Sequence, residues 1–143
     1  MPQERDRVVI DTNIIISAAI SIDGTPAKIF NMFLEDKIIN YTTPEIINEI
    51  EKVFRRPKID RCITKGYKEL IITNYIKKSI NIKPQYFEKI VKEDPDDDKF
   101  INCALSSKVK IIITGDKHLL KVKKYQDIKI MNVHDFLKQL NID

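Results

Sequence analysis

Apolar residues in this chain occur in two alternating patterns, short continuous runs and longer stretches with helical spacing. The short runs at residues 8–10, 38–41, 111–113 and 128–131 predict buried strands. Helical spacing predicts helices over residues 13–20, 26–34, 44–56, 66–80, 94–105 and 134–140, with a looser segment over 84–92. This alternation predicts an α/β fold of three layers (α/β/α) with a mostly parallel central sheet, in one domain over residues 1–143.

Two of the predicted helices carry more specific signals. Thr43 followed by Pro44 is an N-cap with proline at the first helical position, and Pro57 is expected to end that helix. The helix at 66–80 is expected to be amphipathic, with its apolar residues on or near one face, namely Tyr67, Leu70, Ile71, Tyr75 and Ile76.

Two acidic residues lie where predicted strands end. Asp11 directly follows the strand at 8–10, and Asp116 follows the strand at 111–113 after Thr114 and Gly115. In open α/β sheets, function collects at the carboxyl ends of the strands. If these strands are parallel, both carboxylates lie at the same edge of the sheet, where a site is expected.

Two further acidic positions are ambiguous from spacing alone. Glu49 borders the apolar face of its helix, but from its position alone a carboxylate that simply reaches water is the favoured interpretation. The acidic run at 94–98 suits a helix N-terminus, which favours negative charge. Within that run, helical phase aligns Asp97 with the buried stripe, whereas Asp98 is turned about 100° away and is, with Asp94, a second choice.

Composition narrows the function classes. The net charge of +4 suits a polyanionic partner only weakly, since a lysine-rich surface explains it as well. Three glycines nearly exclude glycine-rich phosphate loops, and Cys62 and Cys103 lack the spacing of a zinc site. The polar residues 1–7 do not form a signal peptide, and no apolar run is long enough to span a bilayer, so we expect a cytoplasmic protein.

Four segments, taken in order, resemble the PIN-domain nucleases, and in particular the stand-alone prokaryotic group of toxins from toxin–antitoxin modules. They span residues 8 to about 120, and each is weak alone while the ordered set is specific. The segments are Val8-Val9-Ile10-Asp11-Thr12-Asn13-Ile14, then Thr43-Pro44-Glu45-Ile46-Ile47-Asn48-Glu49-Ile50 with Arg55-Arg56-Pro57-Lys58, then Asp94-Pro95-Asp96-Asp97-Asp98-Lys99-Phe100, and Ile112-Ile113-Thr114-Gly115-Asp116-Lys117.

The resemblance implies a PIN-like fold and an acidic pocket that binds Mg²⁺ or Mn²⁺ and cleaves RNA. Its carboxylates would be Asp11, Glu49, Asp97 and Asp116, supported by the polar residues Thr12, Asn13 and Thr114. Glu49 enters the candidate set mainly through this resemblance. The family also implies a homodimer, and membership of the toxin group implies an antitoxin protein as a partner.

Basic residues near the predicted acids are candidates for RNA contact. They are Arg55, Arg56 and Lys58 after the Glu49 helix and Lys117 after Asp116, although for any one of them a solvated surface is the simpler interpretation. Two function hypotheses follow: a metal-dependent endoribonuclease, and a catalytically silent PIN-like module that binds RNA or protein. The complete acid set favours the enzyme.

Overall fold

A computed structural model describes residues 5–140 of the chain, and the predicted domain over 1–143 also includes residues 1–4 and 141–143, which lie outside this range. The described part contains one six-stranded sheet flanked by helices, which confirms the predicted α/β class. The strands are β1 Asp6–Ile10, β2 Ile38–Thr42, β3 Ile80–Asn81, β4 Ile111–Ile113, β5 Lys124–Tyr125 and β6 Ile128–Met131.

Most of the helices start at a side chain that accepts a hydrogen bond from the first turn, as Thr43 does from the backbone N–H of Ile46 at 3.2 Å. A 3₁₀ turn at Pro95–Asp97 precedes α6. The helices are α1 Thr12–Ile20, α2 Thr25–Leu34, α3 Pro44–Phe54, α4 Pro57–Asp60, α5 Lys65–Lys78, α6 Asp98–Ser107, α7 Lys117–Val122 and α8 Val133–Gln139.

The order of the strands creates a crevice next to the first strand. The sheet order is β3-β2-β1-β4-β6-β5, and every pairing is parallel except that of β5 with β6. From β1 the chain moves outward through β2 to β3 and then returns to β4 on the other side of β1. The direction of winding therefore reverses between β1 and β4, and such a switch point is where open α/β sheets bind ligands.

A buried polar network fixes the end of β1 beside this crevice. The side-chain oxygen of Asn40 accepts a hydrogen bond from the backbone N–H of Ile10 at 2.9 Å, and its amide nitrogen donates to Ser79 Oγ at 3.0 Å. Nearby, the hydroxyl of the buried Tyr75 donates to Thr42 Oγ1 at 2.8 Å. The last residue before Asp11 is thereby held by groups from β2 and the end of α5.

Four short elements were not predicted, namely β3, α4, α7 and β5. Each is too short for apolar periodicity to reveal it, and Pro57 begins a helix as well as following one.

The prediction for residues 66–80 was wrong in two respects. The helix ends at Lys78 because the chain enters β3, and only Ile71 and Tyr75 of its predicted apolar face are buried. Tyr67, Leu70 and Ile76 are exposed.

Residues 82–93, here called the strap, cross α6 without regular secondary structure. Polar side chains spaced four residues apart on one face of α6, Asp98, Asn102 and Ser106, bind the main chain of the strap at 2.7–3.1 Å. The bonded main-chain groups belong to Gln85, Glu88, Ile90 and Val91. These side-chain bonds satisfy main-chain groups of the strap that a neighbouring strand would otherwise bind.

Within residues 5–140, no helix has the length and apolarity needed to cross a membrane.

Candidate functional site

Asp11 lies between the end of β1 and the start of α1, at the switch point of the sheet. Its backbone N–H donates to the carbonyl of Ile113 at 2.9 Å, which ties it to the end of β4. Its Oδ1 accepts from the backbone N–H of Asn13 at 3.2 Å, and this bond caps α1. The carboxylate is 2% exposed, so the strand end holds it inside the protein.

Thr114 joins the two strand-end acids that the sequence predicted. Its hydroxyl donates to Asp11 Oδ2 at 2.5 Å, and its Oγ1 accepts from the backbone N–H of Asp116 at 3.0 Å. Asp116 caps α7 by accepting from the backbone N–H groups of His118 and Leu119 with Oδ1, at 2.8 and 3.2 Å. One oxygen of Asp116 is thus committed to the fold, and the other is left for a ligand.

Asp97 completes a compact group of carboxylates. One oxygen atom each from Asp94, Asp97 and Asp116 lies within 4.8 Å of the other two. Asp97 is buried, and its Oδ2 has no hydrogen-bond partner among the described residues. A buried oxygen without a partner is costly in a folded protein, so an incoming cation would relieve it. Oxygen ligands of this kind suit Mg²⁺ or Mn²⁺.

The crowding of the carboxylates raises two pKa values. Burial first, and then the charges of Asp116, Asp11 and Asp94, raise the pKa of Asp97 to about 8. Burial also raises the pKa of Asp11 to about 6, and the nearby Glu49 and Asp116 add to this shift. The hydrogen bonds that Asp11 accepts from Thr114 and Asn13 act in the opposite direction. Without a cation, Asp97 therefore keeps a proton near neutral pH, whereas Asp11 keeps one only in mildly acidic solution.

Glu49 lies at the border of this group and pairs with a lysine. Its Oε2 is 2.5 Å from Lys99 Nζ, and the Lys99 side chain is 5% exposed while that of Glu49 is 26% exposed. The Glu49 charge still contributes to raising the pKa of Asp11, so the two carboxylates are near each other. Of the four predicted acids, Asp97 and Asp116 thus lie in the compact group, Asp11 adjoins it through Thr114, and Glu49 is engaged by Lys99.

Asp98 is buried as well, but it serves the strap. Its Oδ1 accepts from the backbone N–H groups of Ile90 and Val91 at 3.0 and 2.7 Å. Asp97 and Asp98 therefore have different surroundings, and Asp98 turns towards the strap and not towards water. Asp94, which sequence reasoning ranked behind Asp97, is brought into the carboxylate group by the 3₁₀ turn.

The predicted supporting residues differ in what they do. Thr114 contacts both strand-end acids directly, as described above. Asn13 supports Asp11 through its backbone N–H, while its side chain is exposed. Thr12 is buried, and its hydroxyl oxygen has no hydrogen-bond partner within residues 5–140.

A cavity of about 390 Å³ opens beside Glu49, between α3 and the start of α6. Lys52, Arg55 and Arg56 of the α3 end line it together with Lys99. Lys117 is exposed directly after Asp116, while Lys58 lies on α4, beyond the residues that line this cavity. The same cavity is lined by Glu45, Glu49 and Asp96, so basic and acidic side chains face each other across it, and Asp96 stands next to Asp97 in the chain.

Comparisons with known proteins agree with this geometry. The family model described as "PIN domain" matches residues 7–118, which include all the acids described above. The chain belongs to the PIN-domain family. Among its relatives, an uncharacterized protein of Methanocaldococcus jannaschii, MJ1680, is 41% identical over 138 residues, covering 94% of this chain and 86% of that protein.

The PIN-domain assignment also agrees with a solved structure. The chain is similar to PAE2754 from Pyrobaculum aerophilum, with a TM-score of 0.62 over 96% of this chain and 90% of that one. At 14% identity this likeness shows the fold alone. The PIN domain is a nuclease-type family, and the acidic group that can hold a metal ion is consistent with hydrolase activity of that kind.

Sequence reasoning missed one charged residue of the site, Lys99. It stands in the same short segment as Asp97, but its neighbour Glu49 is 50 positions away in the sequence. Only the packing of α6 against α3 brings these two side chains together. A buried lysine cannot be recognised from a run of charges, because lysine in such runs is usually solvated.

The raised pKa values predict how the metal-free protein responds to pH. With EDTA present, the folded chain keeps protons on Asp97 and Asp11 that the unfolded chain loses near pH 4. The free energy of unfolding should therefore fall as the pH rises from about 5 to about 8, by up to about 1.4 kcal/mol per pH unit for each retained proton. Asp97→Asn should flatten this slope in urea unfolding.

Asp98→Ala is the matched variant from the neighbouring position. It removes the acceptor for two backbone N–H groups of the strap and should lower the free energy of unfolding by about 1–3 kcal/mol. The downward pH slope should remain in this variant. A slope that survives unchanged in Asp97→Asn would contradict the assignment of the raised pKa to Asp97.

Proposed function

We propose that this PIN domain is a metal-dependent endoribonuclease that hydrolyses phosphodiester bonds of RNA with Mg²⁺ or Mn²⁺. The observation that carries the proposal is the buried Oδ2 of Asp97, which has no hydrogen-bond partner within the described residues and belongs to a tight group with Asp94 and Asp116. Such a group is unfavourable until a cation joins it. The PIN-domain match supplies the reaction class.

The residues of the site can be assigned separate tasks. Asp97 and Asp116, with Asp94, would hold the metal ion, which when bound offsets charge on the phosphate and makes a water more acidic. Asp11 is oriented by Thr114 and by the cap of α1, so its carboxylate keeps one direction towards this group. A fixed direction lets it position a water molecule without rearrangement.

The basic side chains in the cavity beside Glu49 support RNA as the substrate. Arg55 and Arg56 line it beside Glu49, so a phosphate backbone that follows these residues passes close to the acidic group. Arginine binds phosphate in a bidentate manner, which fixes the strand as well as attracting it. Lys117, at the start of α7, is a second candidate contact next to Asp116.

Two further partners belong to the proposal, a second copy of the chain and an antitoxin protein. Tyr67, Leu70 and Ile76 are exposed on α5, which supports a homodimer through this helix. Light scattering should give twice the chain mass of 16.7 kDa for the wild type and a monomer for Leu70→Glu. A monomeric wild type would contradict the proposed homodimer.

The toxin role rests on the resemblance to the toxin group, with the cytoplasm as the proposed location. A toxin that cleaves RNA stops the growth of the cells that express it unless its antitoxin is present. Expression of the wild-type chain alone should therefore arrest growth, while expression of Asp116→Asn should not. Growth that is unaffected by the wild type would speak against this role.

Cleavage of a labelled, structured RNA tests the enzyme. We expect products with Mn²⁺ or Mg²⁺ and none with EDTA, and Asp116→Asn should lower the rate roughly 100-fold or more because the metal site loses a charged ligand. Asp127→Asn is the matched control, since Asp127 is exposed on the turn before β6. Activity that survives EDTA or Asp116→Asn would contradict the mechanism, and no cleavage with either metal would favour the silent binding module.

The arginines in the cavity beside Glu49 lead to a separate prediction about RNA affinity. In the inactive Asp116→Asn background, Arg55→Ala and Arg56→Ala should each weaken binding several-fold. Each should also reduce by about 1 the slope of log affinity against log salt concentration. Lys138→Ala, an exposed change on α8 that leaves the cavity intact, is the control for net charge. Equal effects from all three variants would mean that the RNA does not follow this cavity.

A further inference from the structure

Lys99 is the charged residue whose position in the fold calls most for an explanation. It lies in the first turn of α6, two residues after Asp97, and its side chain is 5% exposed. Lysine is almost never buried to this extent unless it is paired. Here the ammonium group is fixed between the Glu49 carboxylate at 2.5 Å and the carbonyl oxygen of Asp96 at 2.7 Å.

The surroundings of the Lys99 ammonium group restrict its movement further. It lies 5.3 Å from the centre of the Phe100 ring, which is a favourable distance for a cation above an aromatic ring. It also lines both the cavity beside Glu49 and a larger cavity of about 570 Å³ under the strap. The charge therefore stands at the junction of the two cavities, at the border of the acidic group.

The pairing divides the carboxylates of the site into two sets. Asp94, Asp97 and Asp116 form the compact group that can surround one ion. Glu49 is not part of that group; it lies near Asp11, and its charge is already matched by Lys99. A second divalent ion between Glu49 and Asp11 would have to displace a buried ammonium group and leave it without its partner, which is strongly unfavourable.

We infer that the Lys99 ammonium takes the place of a second metal ion, so that the acidic site of this chain binds a single divalent cation. The inference rests on the proposed function in that it concerns the same site. It assigns Glu49 to Lys99 instead of to the metal. Two-metal nucleases use their second ion as a fixed positive charge beside the phosphate, and a buried lysine can supply such a charge.

The number of Mn²⁺ ions bound by the full chain tests this inference. Titration calorimetry should give one ion per chain for the wild type, and electron paramagnetic resonance should show no coupling between neighbouring Mn²⁺ ions. Lys99→Gln should release Glu49, allowing a second ion to bind and producing a coupled signal. Lys99→Arg, the matched control, keeps the positive charge and should keep one ion.

A second variant keeps the test decisive if Lys99→Gln does not fold. Glu49→Gln combined with Lys99→Met removes both charges of the pair together and should change the affinity for the single Mn²⁺ ion less than about 3-fold, because neither residue is a ligand in this arrangement, whereas loss of a true ligand costs roughly 10-fold or more. A loss of that size would overturn the inference. So would two ions in the wild type, or a Lys99→Gln variant that folds and still binds one.

The inference and the proposed function fail in different ways. One bound ion without cleavage of RNA would contradict the nuclease proposal and support the inference about Lys99. Cleavage with two bound ions in the wild type would support the nuclease and overturn the inference. A wild-type chain that binds no Mn²⁺ would contradict both.

Discussion

The parallel pairing of β1 with β4 is the constraint on which the rest of the site depends. Backbone bonds join residues that are about a hundred positions apart, so that Asp11 follows β1 where Thr114 follows β4. The Thr114 hydroxyl then links the two strand ends at 2.5 Å. Because both strands point the same way, every residue placed just beyond them arrives in one crevice. This pairing brings Asp11 and Asp116 together, and the 3₁₀ turn before α6 adds Asp94 and Asp97.

The carboxylates that the fold brings together repel one another electrostatically. Two unit charges about 4 Å apart repel by about 4 kcal/mol at an effective dielectric of 20, and the site contains several such pairs. The fold reduces the repulsion in three ways. Helix N-termini face Asp11 and Asp116, a proton remains on Asp97 near neutral pH, and Lys99 neutralises Glu49. The negative charge that remains unbalanced is that of the carboxylate group around Asp97.

Local patterns predicted the parts of this molecule that local physics decides. The long helices, the four main strands and the acids Asp11 and Asp116 follow from apolar spacing and the strand-end rule. Helical phase favoured Asp97, and the resemblance to the PIN-domain nucleases favoured the same residue. The contribution of Asp94 depends on a 3₁₀ turn, and the burial of Lys99 depends on helix packing between residues remote in sequence. Two-residue strands such as β3 were invisible because they carry no periodicity and exist only through their neighbours.

The helix caps at Asp11 and Asp116 have a consequence for how such a protein changes over time. In each case one side-chain oxygen binds the first turn of a helix, and that task needs an acceptor atom but no negative charge. Asparagine offers the same acceptor. The shape of the molecule and its chemistry therefore depend on different properties of the same two residues. A lineage can lose the reaction by one small substitution and inherit an intact scaffold, free to acquire another use.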